Sequence, residues 1–356
     1  MTLVLAYADD VAQSIRTAFE AMDVEAKRVG LQINREKPRL CFWDELAERG
    51  GYKATNYELI TEDGYSIWLH RIGENSGSPV LIQHGIIFHE SGVYDLPAAI
   101  DKILEVHKVK KIFAGHSLGT ITFSVMCTIK PEYNNKVEAA MFMSPVVYLK
   151  PVNRLPPIFR MLAVTKDLLI NRISRSGSYD LGLRNKQTAR NLNTFCGEQV
   201  FTHRMCLSFV GFFARENPKN LNLKDWSNFL LHVSGTSLKT LVHDLQLSMS
   251  DKFQQFDYGS MKNILRYNAM KPPKYDLNLL TTPIGLFWTY NDQFADEKSV
   301  KRLERAVPNL LVSWPIEDKT FSHLDMVIGD NANIVLYPYI IKQIEFINMT
   351  RMQEQI

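Results

Sequence analysis

Gly115-His116-Ser117-Leu118-Gly119 constrains the fold more than any other stretch of this 356-residue chain. An apolar run, Lys111-Ile112-Phe113-Ala114, leads into it. Thr120 to Met126, which can form a helix, leads out. The pattern predicts a strand, a sharp turn and a helix, with a serine at the turn. The two glycines allow the tight, strained backbone that lifts the serine hydroxyl clear of the sheet. A serine hydroxyl is a weak nucleophile at neutral pH. It needs a base beside it and a third group that orients the base.

Both partners are on offer near the C-terminus. The apolar run Pro283 to Trp288 leads to Thr289-Tyr290-Asn291-Asp292-Gln293, and Leu310 to Trp314 leads to Ser322-His323-Leu324-Asp325. An acid after one parallel strand and a histidine after the next would share the carboxyl edge of the sheet with Ser117, where open α/β sheets place their sites. Asp292, Asp296, Asp318 and Asp325 all fall in that region. Asp292 ranks first because it follows its strand directly. Asp296 opens a helix-like stretch and reads as an N-cap, and Asp325 lies too close to His323 to orient it in the usual way. An oxyanion hole needs two backbone N–H groups. One is expected from Leu118. The other is expected from Ile86, after the strand Pro79 to Gln83 and its terminal His84-Gly85. The order Ser, Asp, His is that of the α/β-hydrolases.

From about Glu45 onward the chain resembles the acid lipase family of gastric, lysosomal and insect digestive lipases. The stretches that carry the likeness are GYKATNYELITEDGY at 51–65, QHGII at 83–87, VYDLPAAID at 93–101, GHSLGT at 115–120, SGTS at 234–237, YDL at 275–277, NDQFAD at 291–296 and SHLD at 322–325. The resemblance implies a serine hydrolase that cleaves carboxylic esters of lipids, triacylglycerols or sterol esters, through an acyl-enzyme. It implies Ser117, Asp292 and His323 as the triad, and Ile86 and Leu118 as the oxyanion hole. The family usually carries Gln where Leu118 stands, but a backbone donor tolerates the change. The resemblance also implies a disulfide between Cys196 and Cys206, and secreted or lysosomal relatives. It implies a mostly parallel sheet flanked by helices, with hydrolase core at 45–150 and 271–356 and a helical cap or lid at 151–270. The cap segment is rich in Phe195, Phe201, Met205, Phe209, Phe212 and Phe213, most of which would pack its own core.

Two departures accompany the likeness. Residues 1–40 resemble a fragment of a non-LTR retrotransposon reverse transcriptase: an apolar run into Tyr7-Ala8-Asp9-Asp10, a helix-like stretch from Val11 to Val29, then GLQINREK at 30–37. Paired carboxylates such as Asp9 and Asp10 hold metal ions in two-metal chemistry. A fragment this short cannot bury a polymerase core, so the pair is a relic and no metal or polymerase activity is expected. Second, Ile87 runs straight towards the Tyr94-Asp95-Leu96-Pro97 helix, where the family has a further helix, strand and long connection. The chain still permits strand 79–83, helix 95–106 and strand 110–114. The sheet is expected to lack one strand and one helix, so the hairpin Tyr57–Ile60 and Ser66–Arg71 would pair with strand 79–83 directly or not at all. Both departures point to a chimeric gene product. A catalytically impaired lipase-like protein is the first alternative reading, and a retroelement nucleic-acid protein the second.

Composition fits one catalytic domain with an insertion: 46% of residues are apolar and the net charge is +3. That charge is too small to argue for nucleic acid. No run approaches a transmembrane span, and no cofactor is expected. The transposon-like segment stands where a signal peptide would, which makes the cytosol the default location. Cys41 and Cys127 have no evident partner, and Asn348-Met349-Thr350 is the sole glycosylation sequon.

Overall fold

The computed structural model describes residues 2–7, 51–73, 79–83, 90–108, 110–151, 238–329 and 331–354, with a few isolated positions between 153 and 168. Asp9, Asp10, the helix expected at 11–29, Cys41, Ile86, the aromatic cap residues and the Cys196–Cys206 pair lie outside the described residues.

The described strands form one sheet. They are β1 (Thr2–Tyr7), β2 (Ala54–Ile60), β3 (Ser66–Ile72), β4 (Pro79–Gln83), β5 (Lys111–His116), β6 (Val137–Met143), β7 (Ile284–Thr289) and β8 (Leu310–Ile316), in the spatial order β2-β3-β1-β4-β5-β6-β7-β8. From β4 to β8 every pairing is parallel. β2 and β3 form the expected antiparallel hairpin. This is the α/β-hydrolase architecture.

Strands β4, β5 and β7 are buried along their whole length. A parallel sheet covered on both faces demands this, and it explains why they read as continuous apolar runs. Alternate residues feed two cores. Phe113, Phe142, Leu286 and Trp288 point into one. They meet Leu96, Ile100 and Ile103 of α2 (Asp95–His107), Ile121 and Phe123 of α3 (Leu118–Ile129), and Val300 and Leu303 of α6 (Glu297–Ala306). Ile112, Ala114, Met141, Met143 and Phe287 point into the other, against Ile340, Ile341 and Ile344 of α9 (Tyr337–Glu354). The chain also forms α4 (Leu238–Ser250) and α5 (Ser260–Tyr267) before β7, and the short α7 (Asp325–Ile328) and α8 (Ala332–Val335) before α9. A one-turn α1 (Glu90–Val93) precedes α2. The sequon Asn348-Met349-Thr350 sits inside α9, where Thr350 Oγ1 donates to the Phe346 carbonyl.

The place of the missing strand is where expectation and structure part. The hairpin does not pair with β4, and it is not left unpaired. β1 lies between them, parallel to β3 and antiparallel to β4, with Leu5 opposite both Arg71 and Leu81. The physical reason is the backbone. Without β1, the inner edges of β3 and β4 would each present a row of unpaired N–H and C=O groups inside a sheet. An extended apolar segment of six residues supplies the partners for both.

Candidate active site

Helix α3 carries the serine. Ser117 sits at its N-cap with φ 55° and ψ −122°, a left-handed conformation that costs a non-glycine residue about 1–3 kcal/mol. Its neighbours hold it there. The Ser117 N–H donates to the Met143 carbonyl at the end of β6 at 3.0 Å. Thr120 Oγ1 donates to the Ser117 carbonyl at 2.7 Å and accepts from the Val146 N–H at 3.1 Å. Gly115 is required by close approach. A Cβ there would lie 2.6 Å from the Phe113 ring and 3.2 Å from the Gly119 carbonyl carbon, where strand and helix cross.

Helix α3 is buried on all sides from Gly119 to Thr128 although it holds three threonines and a serine in that span. Thr122, Ser124 and Thr128 turn their hydroxyls back onto the carbonyls of Leu118, Thr120 and Ser124 respectively. That local bonding satisfies groups that burial would otherwise penalise.

The structure brings Ser117, His323 and Asp292 together. His323 Nε2 lies 2.7 Å from Ser117 Oγ, and His323 Nδ1 lies 2.7 Å from Asp292 Oδ2. Asp292 and His323 are both buried. The other carboxylate oxygen of Asp292 accepts N–H groups from Phe294 at 2.7 Å and Ala295 at 3.0 Å. Burial works against the charge on Asp292. The opposing charge of His323, its hydrogen bond and the two backbone donors outweigh burial and hold the carboxyl below its usual range. With Asp292 ionised, Nδ1 carries the proton, which leaves Nε2 to accept from the serine hydroxyl.

The rival acids have other partners. Asp296 caps α6, accepting from the Ser299 N–H and hydroxyl. Asp318 accepts from the Thr320 N–H and hydroxyl. Asp325 Oδ2 accepts the Ser322 N–H at 2.8 Å, which shapes the loop before His323. Leu118 opens α3, so its N–H belongs to the first-turn donors that have no partner within the helix. Three groups around the site were not singled out from sequence. They are the Phe294 and Ala295 N–H groups on Asp292, His116 beside His323, and Thr289 under the histidine loop. The NDQFA stretch, an aspartate followed by a tight turn, is the signal that could have pointed to the first of them.

Against known proteins, a family model described as a partial alpha/beta-hydrolase lipase region matches residues 43–94. Lipase 1 of Drosophila melanogaster is 26% identical over 350 residues, covering 83% of this chain and 77% of the relative. Gastric triacylglycerol lipase of Mus musculus is 27% identical, with 82% and 88% covered. Lipase member N of Mus musculus is 28% identical, with 80% and 72% covered. The chain is similar in sequence to these lipases over most of its length. The alignment with Lipase 1 is 350 positions long yet takes in 83% of a 356-residue chain, so it opens gaps in this chain opposite residues of the relative. Among solved structures, the alpha/beta hydrolase GrgF from Penicillium overlaps only loosely, with a TM-score of 0.42, 13% identity, and 83% and 98% of the two chains covered. Among the described residues no helix is long and apolar enough to cross a membrane.

Proposed function

We propose that this lipase-type hydrolase cleaves carboxylic esters of lipids, triacylglycerols or sterol esters, through an acyl-enzyme on Ser117. The observation that carries the reading is the unbroken chain of two 2.7 Å contacts from Ser117 Oγ through His323 to Asp292, on a serine held at φ 55°. His323 Nε2 takes the hydroxyl proton as Oγ attacks the ester carbonyl. The N–H groups of Leu118 and Ile86 stabilise the oxyanion. Collapse expels the alcohol, which receives the proton from His323. The same nitrogen then takes a proton from water, and the hydroxide releases the fatty acid and frees Ser117.

In this reading the core at 45–150 and 271–356 holds the machinery, and the segment 151–270 covers it and receives the acyl chain. A lipid–water interface is its place of work. On α5, Met261 is 78% exposed and Leu265 88% exposed, beside Lys262 and Arg266, an apolar and basic surface of the kind that adsorbs to lipid. The fragment at 1–40 contributes no polymerase chemistry.

The deciding experiment is labelling of the purified chain with a fluorophosphonate serine probe, with Ser117→Ala as control. Labelling of the wild-type chain alone, together with release of fatty acid from triolein or cholesteryl oleate, is the expected result. Folded wild-type protein that neither labels nor hydrolyses these esters would make the impaired chimera the correct reading.

A further inference from the structure

The base of a serine hydrolase must be held to within about half an ångström, and a displacement of 1 Å can cost about a hundredfold in rate. His323 stands on a loop seven residues beyond the end of β8, so its own strand does not hold it. Its ring is tied at both nitrogens to Ser117 and Asp292. Its backbone is tied by other side chains.

Three carbonyls in four consecutive residues of this loop accept hydrogen bonds from side chains at the ends of neighbouring strands. Asn291 Nδ2 donates to the Thr320 carbonyl at 3.2 Å. The Thr289 hydroxyl donates to the Phe321 carbonyl. His116 Nε2 lies 2.9 Å from the carbonyl of His323 itself. A carbonyl can only accept, so this nitrogen of His116 carries the hydrogen. The Ser322 N–H is taken by Asp325. Thr289 is fully buried and His116 is 6% exposed, so neither donor can trade its partner for water without opening the site. The rings of His116 and His323 lie 4.9 Å apart, and Phe294 meets the His323 ring edge-on at 5.0 Å from another side.

We propose that His116 and Thr289 are positioning residues, which suspend the loop of the base from β5 and β7 and so set the His323 ring between Ser117 and Asp292. His116 adjoins Ser117 in the chain, so one strand end fixes the nucleophile and, through the next residue, the base. Positioning here rests on the reading of Ser117 and His323 as nucleophile and base. Register between them then depends on a side chain and a backbone carbonyl 207 residues apart in sequence.

The test compares His116→Phe, which keeps a ring of similar size and removes the donor, with His116→Gln, which retains an N–H. Thr289→Val, close in shape and lacking the hydroxyl, is the second, independent variant. Each is followed by fluorophosphonate labelling rate, by kcat and KM on a short-chain ester, and by the far-downfield proton NMR signal of the His323 Nδ1–H, identified by its loss in Asp292→Asn. The expected result is a fall in labelling rate and kcat of about tenfold or more in His116→Phe and Thr289→Val, with KM within about twofold. The downfield signal should broaden or disappear in both variants. His116→Gln should recover most of the rate. If His116→Phe and Thr289→Val, folded and melting as wild type does, keep the rate and the signal, the proposal is overturned. The NMR signal keeps this test separate from that of the function. A wild-type chain that shows the signal but hydrolyses no ester refutes the proposed activity, and loss of the signal in the variants still supports the positioning role.

Discussion

At the scale of single residues, Asp292 carries the sharpest consequences. Asp292→Asn keeps the shape but favours the wrong histidine tautomer, so kcat should fall by about 10⁴ while the serine remains present. Its carboxyl is held below the usual range, so the folded state binds a proton less readily than the unfolded state. The stability from the pair is therefore fully present above the unfolded pKa of about 3.9 and is lost as pH falls through the folded value. Melting temperatures of wild type and Asp292→Asn, measured from neutral to acid pH, should differ by a constant amount down to about pH 5 and converge below about pH 4. Cys127 stands at the opposite extreme. It is buried with its sulfur 3.9 Å from Thr282 Oγ1, and burial pushes the thiol up. It should resist alkylation until the chain unfolds.

At the scale of elements, the contacts that matter are close packings the sequence does not announce. Gly92 in α1 lies directly on α3, where an added Cβ would come within 2.5 Å of the Thr122 carbonyl oxygen. Gly92→Ala should destabilise the fold by about 1–3 kcal/mol, read by denaturant unfolding. Lys111, at the start of β5, is fully buried with its Nζ donating to the Ile100 carbonyl at 2.9 Å. Burial, with help from Lys136 and against the pull of Asp101, pushes its amine down to about 7. An unfolded lysine titrates near 10.4. Between these values the unfolded state binds more protons, so this residue makes stability rise with pH across that window. Below the lower value its penalty is full and constant. Lys111→Met should remove that rise, and its gain over wild type should be greatest at and below neutral pH, measured as unfolding free energy against pH.

At the scale of the whole molecule, the insertion of β1 is the central fact. Thr2 to Tyr7 complete the eight-stranded sheet of the described residues, pairing with β3 on one side and β4 on the other. Leu5 faces both neighbours in register, so Leu5→Pro removes a donor in mid-sheet and should abolish cooperative unfolding and serine labelling together. If Asp9 and Asp10 are a relic, as the sequence reading has them, the double change Asp9→Asn with Asp10→Asn should leave both untouched. Circular dichroism on heating and the fluorophosphonate probe read both arms.

The parallel strands, the turn at Ser117 and the order of serine, acid and histidine were legible from residues alone, because each rests on short-range causes. Continuous apolar runs mark strands buried on both faces, Gly-x-Ser-x-Gly marks a strained turn, and an N-capping geometry set Asp296 apart from Asp292. The suspension of the histidine loop and the place of β1 were not legible. His116 reads as filler within its motif until folding places it 2.9 Å from a carbonyl 207 residues away. Thr2 to Tyr7 reads as part of another protein until the backbone groups of β3 and β4 need partners. The sequence by itself determined which residues could react and which local turns would carry them. Only the tertiary structure decided what holds the base in place and what closes the sheet, because side-chain donors and strand edges are satisfied by whatever comes near in space, and no local pattern records that.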